Sequence, residues 1–193
     1  NHLAIFHDET TKRVCDRHMN IGFSNRKSLK KLNVNDNEIP FLDEVFHKFK
    51  DDVNYCLDVK VFKSTSKEQK SKLVFYTINE IVKHSLAKNC FITSFDPDIL
   101  KLSKLLRFTN LGIVYNKGNK PCDAKLSCVK HNLIKKDVDT PTFAWTVNNA
   151  RRMKTLLKYN INGIITDHVD KLVQAHKNHT RDNVSINVPA STT

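Results

Sequence analysis

The stretch Thr142–Asn148 reads Thr-Phe-Ala-Trp-Thr-Val-Asn, and Asn162–Asp167 follows it as Asn-Gly-Ile-Ile-Thr-Asp. Both contain short apolar runs rich in strand-forming residues, and both end in polar side chains. Between them, Met153, Leu156 and Leu157 recur at helical spacing. A strand, a helix and a second strand in this order are typical of parallel strands joined by a crossover helix. The region therefore predicts an α/β fold with a largely parallel sheet.

The same alternation extends upstream. The first helix after the amino terminus is expected near Ser28–Leu32, and a second follows Pro40. A capping box of Thr65 and Glu68 predicts the start of a longer helix, and Asp96 before Pro97 predicts another. Residues 122–140 predict at most one strand and a turn. The other predicted strands are Leu3–Phe6, Asn54–Phe62, Cys90–Thr93 and Leu111–Tyr115.

Length and composition favour one globular domain. The chain has 193 residues, of which 39% are hydrophobic and 27% charged. No apolar run is long enough to cross a bilayer. The five cysteines include no Cys-x-x-Cys pair, which argues against a zinc ribbon and provides no disulfide framework. The chain starts at Asn1, almost at a strand, so we expect a removed upstream segment that could have carried a signal or a membrane anchor.

The net charge of +12 favours anionic partners. These include phosphoesters, nucleic acid and acidic membrane surfaces. The Lys residues are nevertheless distributed over almost every predicted helix, and no aromatic or recognition-helix signature accompanies them. A solvated basic surface is therefore the preferred interpretation, and we expect no nucleic-acid partner.

Polar residues follow most of the predicted strands. His7 and Asp8 follow the first, Asp58 and Lys60 lie late in the second, and Trp145 and Asp167 come at the last two. In a parallel barrel, the carboxyl ends of the strands converge on the face that carries the active site. The sequence therefore predicts a site at which these residues meet.

At these residues the chain resembles the glycerophosphodiester phosphodiesterase family. The pairing of Trp-Thr-Val-Asn with Gly-Ile-Ile-Thr-Asp at this separation is the most specific feature, and the resemblance covers residues 1 to about 173. The matching stretches, in family order, are Ile5–Thr10, Ile39–Val45, Leu57–Lys60, Thr93–Asp96, Phe143–Asn148 and Asn162–Asp167.

The resemblance implies a TIM (β/α)8 barrel of the phospholipase-C-like phosphodiesterase type. It implies metal-dependent cleavage of glycerophosphodiesters to glycerol 3-phosphate and an alcohol, with Mg²⁺ or Ca²⁺ as cofactor. It also implies that His7 is one of two acid–base histidines and that Asp58 is a metal ligand. The substrate would be a small phosphodiester or a lysophospholipid.

Two departures from the family pattern matter. The chain begins after the place of the His-Arg-Gly and Glu-x-Asp motifs, so we expect the first two strands, one histidine and two metal carboxylates to be missing. Asp58 stands where the family usually has the longer Glu. A hard cation accepts either carboxylate, although Mg²⁺ demands closer geometry than Ca²⁺. The sixth strand–helix unit also looks shortened.

Each candidate residue has a simpler alternative. Imidazole titrates in the range useful for acid–base catalysis, so His7 is assigned as catalytic, against an ordinary surface histidine. Asp8 would orient His7 or merely cap a turn. Asp58 would bind metal or form a structural ion pair with Lys60, which shares its face because the strand period is two. Lys60 would bind phosphate, and Trp145 would cover the substrate or pack the barrel mouth.

The sequence thus predicts a partial barrel over residues 1–175 and a polar, disordered tail over 176–193. The intact parent protein is predicted to be a phosphodiesterase of lipid and glycerol metabolism, and the 193-residue chain itself is predicted to be nearly inactive. The alternative is a degenerate, non-catalytic barrel that acts as a binding or regulatory module. The compartment is expected to be cytoplasmic or membrane-associated, the latter through the missing upstream segment.

Overall fold

The computed structural model describes residues 2–34, 36–116, 124–136, 138, 140–159 and 161–186. The chain forms two compact units, residues 1–111 and 112–193. Each unit contains parallel strands with helices between them. No helix in the described ranges is both long and apolar enough to cross a membrane.

The first unit contains two neighbouring parallel strands. Strand β1 pairs with β2 in the register Tyr55 with Cys90 through Asp58 with Thr93. The amphipathic helices pack their apolar stripes inward, so that Phe46, Val74, Ile81 and Ile99 are almost fully buried. The elements are α1 (Arg26–Leu29), α2 (Leu42–Phe49), β1 (Tyr55–Asp58), α3 (Lys67–Lys83), β2 (Cys90–Ser94) and α4 (Pro97–Leu105).

The second unit also contains parallel strands. Strand β4 pairs with β3 and β5, and β5 also pairs with β6. Its core is closed by Val129, Ala144, Val147, Met153 and Leu156, which are at most 5% exposed. The elements are β3 (Leu111–Tyr115, which starts at the boundary), β4 (Leu126–Lys130), β5 (Thr142–Trp145), α5 (Ala150–Leu157), β6 (Gly163–Ile164) and α6 (Val169–Ile186).

Between β4 and β5 the structure has a 3₁₀ turn at His131–Leu133, and the described residues of this connection form no α-helix. The prediction of a shortened sixth unit is therefore confirmed over the described part of 122–140. Arg152 stabilises the turn by donating to the carbonyls of His131 and Ile134, the latter at 2.5 Å.

Several predicted boundaries were wrong by a few residues. The amino-terminal helix lies at Arg26–Leu29 rather than Ser28–Leu32, and Leu3–Phe6 forms one isolated antiparallel bridge instead of a strand. Helix α3 is capped by Ser66 with Gln69, one position after the predicted box. Asp96 caps α4 with Pro97 in its first turn, as predicted.

The carboxyl-terminal tail was predicted to be disordered from residue 176. In the structure α6 continues to Ile186, so the predicted boundary at 175 falls inside a helix. Ala175 is 4% exposed and belongs to the core of the second unit. Residues 187–193 lie outside the described part of the chain.

Candidate active site

The end of β1 brings Asp58 and Lys60 together. Lys60 Nζ lies 2.6 Å from Asp58 Oδ2, with side chains 25% and 33% exposed. β1 ends at Asp58 and Lys60 lies just beyond it, and the two side chains meet as the sequence predicted. Lys60 also lies 5.5 Å from the centre of the Phe95 ring, a cation–π contact. An ammonium and a carboxylate therefore stand side by side, accessible to solvent.

Ser94 fixes the backbone beneath this pair. Its hydroxyl is fully buried, donates to the Val59 carbonyl at 2.8 Å and accepts from the Asp96 amide at 3.1 Å. The Val59 amide in turn donates to the Thr93 carbonyl at 2.8 Å. Ser94 is thus a structural residue that holds the ends of β1 and β2 in register.

A cleft opens at these two strand ends. Its volume is about 320 Å³. Asp96 on its wall is paired with Lys70 at 2.6 Å, and although burial opposes ionisation, the Lys70 hydrogen bond leaves the pKa of Asp96 lowered. The cleft is lined by Val59, Lys60, Val61, Ser94, Phe95, Asp96 and Pro97. A larger cleft of about 380 Å³ lies between the carboxyl ends of α2 and α3, which precede β1 and β2 in the chain, and it contains no predicted site residue.

His7 and Asp8 form a second polar cluster in the first unit. His7 Nδ1 lies 2.7 Å from Asp8 Oδ1, and Arg13 Nε donates to Asp8 Oδ2 at 2.6 Å. The Arg13 hydrogen bond, followed by that of His7, lowers the pKa of Asp8. Because Asp8 engages one ring nitrogen, the other nitrogen of the exposed imidazole is the one that can exchange a proton with a bound molecule.

One contact ties the His7 segment to the loop after β1. The Ser64 hydroxyl donates to Glu9 Oε1 across 55 positions of sequence. The loop itself is closed by the Phe62 amide, which donates to Thr65 Oγ1 at 2.9 Å. His7 and the Asp58–Lys60 pair are therefore carried by segments that are hydrogen-bonded to each other.

Trp145 lies in the second unit at the end of β5. Its indole N–H donates to the Cys128 carbonyl at 2.8 Å, and the ring is half-buried. Since the N–H is used by the backbone, any contact of Trp145 with a substrate would come from the ring. Lys130 is its register neighbour on β4 and is exposed.

The polar residues after β5 and β6 hold each other. Asn148 donates to Asp167 Oδ2 at 2.7 Å and accepts from the Asp167 amide at 3.0 Å. Thr166 Oγ1 donates to Asn148 Oδ1 at 3.2 Å and accepts from the His168 amide at 3.0 Å. These side chains build the turn.

Lys130 and His131 are not among the residues that the sequence predicted for the site. His131 directly follows β4, and its Nδ1 is buried without a hydrogen-bond partner among the described groups. Burial first, and then the charges of Arg152 and Lys130, lower the pKa of His131. A polar residue at the end of a strand is the pattern that could have identified Lys130 and His131. The sequence did not define the bounds of that strand, so the pattern could not be applied.

The described residues do not by themselves fit a divalent cation. They contain no group of three or more His, Cys, Asp or Glu side chains arranged to hold a metal ion. Asp58 offers one carboxylate, and the ammonium 2.6 Å away opposes a second positive charge. A cation bound at Asp58 would need further oxygen ligands and would compete with Lys60.

A family model for the glycerophosphoryl diester phosphodiesterase family matches residues 1–116 and 129–171, well over half of the chain. The chain belongs to this family. The glycerophosphoryl diester phosphodiesterases are phosphoric diester hydrolases, so the predictions of the family and of an enzyme are confirmed. The gap in the match, residues 117–128, ends within β4, next to the shortened sixth unit.

Solved structures support the family fold. A phosphodiesterase from Oleispira antarctica, in complex with the product sn-glycerol-3-phosphate, is 18% identical over 90% of this chain and 79% of its own, with a TM-score of 0.74. A glycerophosphodiester phosphodiesterase from Parabacteroides distasonis is 16% identical over 93% and 80%, with a TM-score of 0.72. A protein assigned as a glycerophosphoryl diester phosphodiesterase from Silicibacter pomeroyi is 12% identical over 92% and 79%, with a TM-score of 0.78.

These likenesses confirm the predicted TIM-barrel fold class for this phosphodiesterase family member. Six parallel strands are present in the described residues, β1 to β6. No curated protein sequence matches the chain significantly.

Proposed function

We propose that the protein carrying this chain hydrolyses glycerophosphodiesters to glycerol 3-phosphate and an alcohol. Membership of the family supports the reaction, and the product bound to the Oleispira relative supports the glycerol 3-phosphate half of the substrate. The observation that carries the proposal is the family match over residues 1–116 and 129–171.

His7 is proposed as the acid–base group. Cleavage of a phosphodiester at neutral pH needs a proton donor for the departing alkoxide. Asp8 holds one imidazole nitrogen at 2.7 Å, which fixes the ring orientation and leaves the other nitrogen to transfer the proton. Arg13 holds Asp8 in turn, at 2.6 Å.

Lys60 is proposed to bind a phosphate oxygen. Its ammonium is already held by Asp58 and by the Phe95 ring, so little side-chain freedom is lost when a phosphate arrives. The adjoining cleft would take the group attached to the phosphate. Trp145 is proposed as a contact of the glycerol or alcohol group through its ring face.

A divalent cation, Mg²⁺ or Ca²⁺, is proposed as the cofactor, and it would supply charge neutralisation of the phosphate. Asp58 would provide one ligand, and the remaining ligands would come from outside the described residues. Because those residues provide one carboxylate at this place, we propose that the 193-residue chain alone is nearly inactive.

The test is an assay in which phosphorus NMR monitors the release of glycerol 3-phosphate from glycerophosphocholine. It is run with added Mg²⁺ or Ca²⁺ and again after the metal has been removed by a chelator. We expect His7→Gln to lower kcat by a factor of about 10² to 10⁴ in the protein carrying this chain. His18→Gln, an exposed histidine of the same segment, should change it less than about twofold. Equal rates for wild type and His7→Gln would refute the assignment of His7.

A second candidate is a non-catalytic binding module. It is favoured by the Asp58–Lys60 pair, which is satisfied internally without a cation, and by the lack of a three-ligand cluster in the described ranges. A protein that binds glycerophosphocholine but does not hydrolyse it would be the binding module and not the hydrolase. Trp145 is the one tryptophan of the chain, so its fluorescence can report binding of glycerophosphocholine while NMR reports hydrolysis.

A further inference from the structure

One short segment near the amino terminus carries a large share of the net positive charge. Residues 11–31, here called the basic lobe, contain seven Lys and Arg residues against one Asp, a net charge of +6 out of +12 for the whole chain. A stretch of 21 residues in 193 thus carries half of the excess charge. The lobe begins four residues after His7.

The basic lobe has an ordered inner side. Leu29 is 2% exposed and packs with Ile39 and Phe41, and Cys15, Met19 and Ile21 lie against this cluster. The buried Thr11 hydroxyl donates to the Arg17 carbonyl at 2.6 Å and accepts from the Met19 amide at 2.8 Å. These contacts close the loop between Thr11 and Met19 and give its backbone a defined conformation.

Three of the seven cations are neutralised inside the first unit. Arg13 pairs with Asp8, and Arg26 and Lys30 pair with carboxylates of α2, Glu44 among them. Four basic side chains of the lobe are exposed and make no ion pair with any described residue: Lys12, Arg17, Lys27 and Lys31.

A large apolar side chain stands among them. Phe23 is 74% exposed at the end of the 3₁₀ turn Ile21–Phe23, whose first residue packs inward. The turn is held by the Ser24 hydroxyl, which donates to the Asn20 carbonyl at 2.6 Å, and it leads into α1, whose cap Asn25 accepts from the Ser28 amide at 2.9 Å. The ring is thus presented to solvent by an ordered backbone.

We propose that the basic lobe docks on an anionic lipid surface, with Phe23 inserted at the headgroup boundary and the four unpaired cations against acidic headgroups. An exposed aromatic residue within a segment rich in exposed Lys and Arg has the composition of interfacial membrane contacts. Because the lobe follows His7 directly, docking holds the proposed acid–base group next to the lipid surface.

A nucleic acid is the competing anionic partner. Its single strands are bound in grooves with several stacked aromatic rings, and its duplexes by an element that enters a groove. The basic lobe offers one isolated ring on a turn and one α-helix of four residues, Arg26–Leu29. The geometry fits a surface into which a single side chain can insert.

Co-sedimentation with sucrose-loaded vesicles tests the proposal on the full 193-residue chain. Vesicles of phosphatidylcholine with about 30 mol% phosphatidylglycerol should bind at least about tenfold more protein than pure phosphatidylcholine. Phe23→Ser should weaken the anionic partition about fivefold, and the combined K12Q, R17Q, K27Q and K31Q variant about 100-fold.

Matched controls separate a docking surface from general charge. Phe75→Ser removes another exposed aromatic residue, 54% exposed on α3, and should change the partition less than about twofold. The control quadruple variant K88Q, K154Q, K158Q and K171Q loses the same charge from exposed positions elsewhere and should weaken binding less than about fivefold. Equal losses for the two quadruple variants would overturn the proposal.

Two other results would also overturn it. One is that the chain binds anionic vesicles no better than vesicles of pure phosphatidylcholine. The other is a fluorescent DNA duplex that binds through the four basic residues while vesicles are not bound. As a second measurement, Phe23→Trp in a Trp145→Phe background should shift its emission to shorter wavelength on addition of the anionic vesicles. Vesicle binding requires no turnover, so the proposed function and this inference can fail separately.

Discussion

Polar side chains lie at or near the predicted strand ends in both units, but they are used differently. In residues 1–111 they are charged and paired at accessible positions, as in Asp58 with Lys60 and Asp8 with Arg13. In residues 112–193, the side chains of Asn148, Thr166 and Asp167 hydrogen-bond to each other and to the backbone of the turn. A polar residue at a strand end therefore marks a position where a site can form. Its hydrogen-bond partners show whether the side chain is available to a ligand or is used to build the turn.

The largest effect is expected for Asp58→Asn. It removes the charge that balances Lys60 and the carboxylate proposed to bind the cation, so we expect glycerophosphocholine hydrolysis by the protein carrying this chain to fall at least about 100-fold. The free energy of unfolding should change by less than about 1 kcal/mol, because the pair is solvent-accessible. Asp98→Asn, which removes another Lys-paired carboxylate, is the control. Similar rate losses in both would break the comparison.

Arg13→Gln is expected to have the next largest effect. The hydrogen bond from Arg13 lowers the pKa of Asp8, so its loss should move that pKa upward, towards the ordinary value of 3.8. Asp8 stays ionised at neutral pH, and the expected rate loss of about tenfold comes from poorer orientation of His7. NMR titration of Asp8 checks the first part, and the rate of glycerophosphocholine hydrolysis by the protein carrying this chain checks the second. Arg17→Gln should leave the Asp8 titration and the rate unchanged.

Asn148→Ala should act on stability. It removes the acceptor of the Asp167 amide and of the Thr166 hydroxyl, at a cost of about 1 kcal/mol in the free energy of unfolding measured with urea. Asn132→Ala, at an exposed position of the second unit, should change it by less than about 0.5 kcal/mol. A loss of hydrolysis well beyond the loss of stability would place Asn148 in the site and weaken the contrast between the units.

Glu44→Gln tests the charged contacts of the first unit by pH. The hydrogen bond from Lys30 is the main cause that lowers the pKa of Glu44 to about 2, although burial alone would raise it. Hydrogen bonds from the Phe41 amide and from Arg26 also contribute to this lowering of the pKa. The folded-state pKa is below the ordinary 4.5, so the stabilisation is present above pH 4.5 and is lost as the pH falls towards 2.

With its side chain 35% exposed, Glu44 should contribute less than about 1 kcal/mol at neutral pH. The difference in urea stability between wild type and Glu44→Gln should disappear towards pH 2. Glu38→Gln, whose side chain is 67% exposed, should show a smaller difference throughout. A difference for Glu44→Gln that does not depend on pH would contradict the assigned ionic role.

The positions of β2 and β3 could be predicted because apolar, β-branched runs specify buried parallel strands. The end of β1 could not. Val59 and Val61 have the composition of a strand, but β1 ends at Asp58, and these two residues line the cleft beyond it. The predicted box at Thr65 failed because its hydroxyl already accepts from the Phe62 amide, which left capping to the next residue.

Within the site, strand periodicity was enough to pair Asp58 with Lys60. It could not reveal that Arg13 binds Asp8, because a loop of irregular conformation determines which of the nearby cations reaches the carboxylate. Lys130 and His131 were missed because β4 follows a stretch without readable periodicity. The roles assigned to His7, Asp8, Asp58, Lys60 and Trp145 stay predictions until the variants are measured.

The alternating exposure of β1 has a practical consequence. Cys56 precedes Asp58 by two residues on the same face and is exposed, whereas Cys128 and Cys90 are buried, and burial raises the pKa of the Cys90 thiol to about 12. A maleimide dye should therefore react with Cys56 ahead of these two thiols. Such a label would sit beside the carboxylate–ammonium pair and could report optically on the arrival of a phosphate or a metal ion.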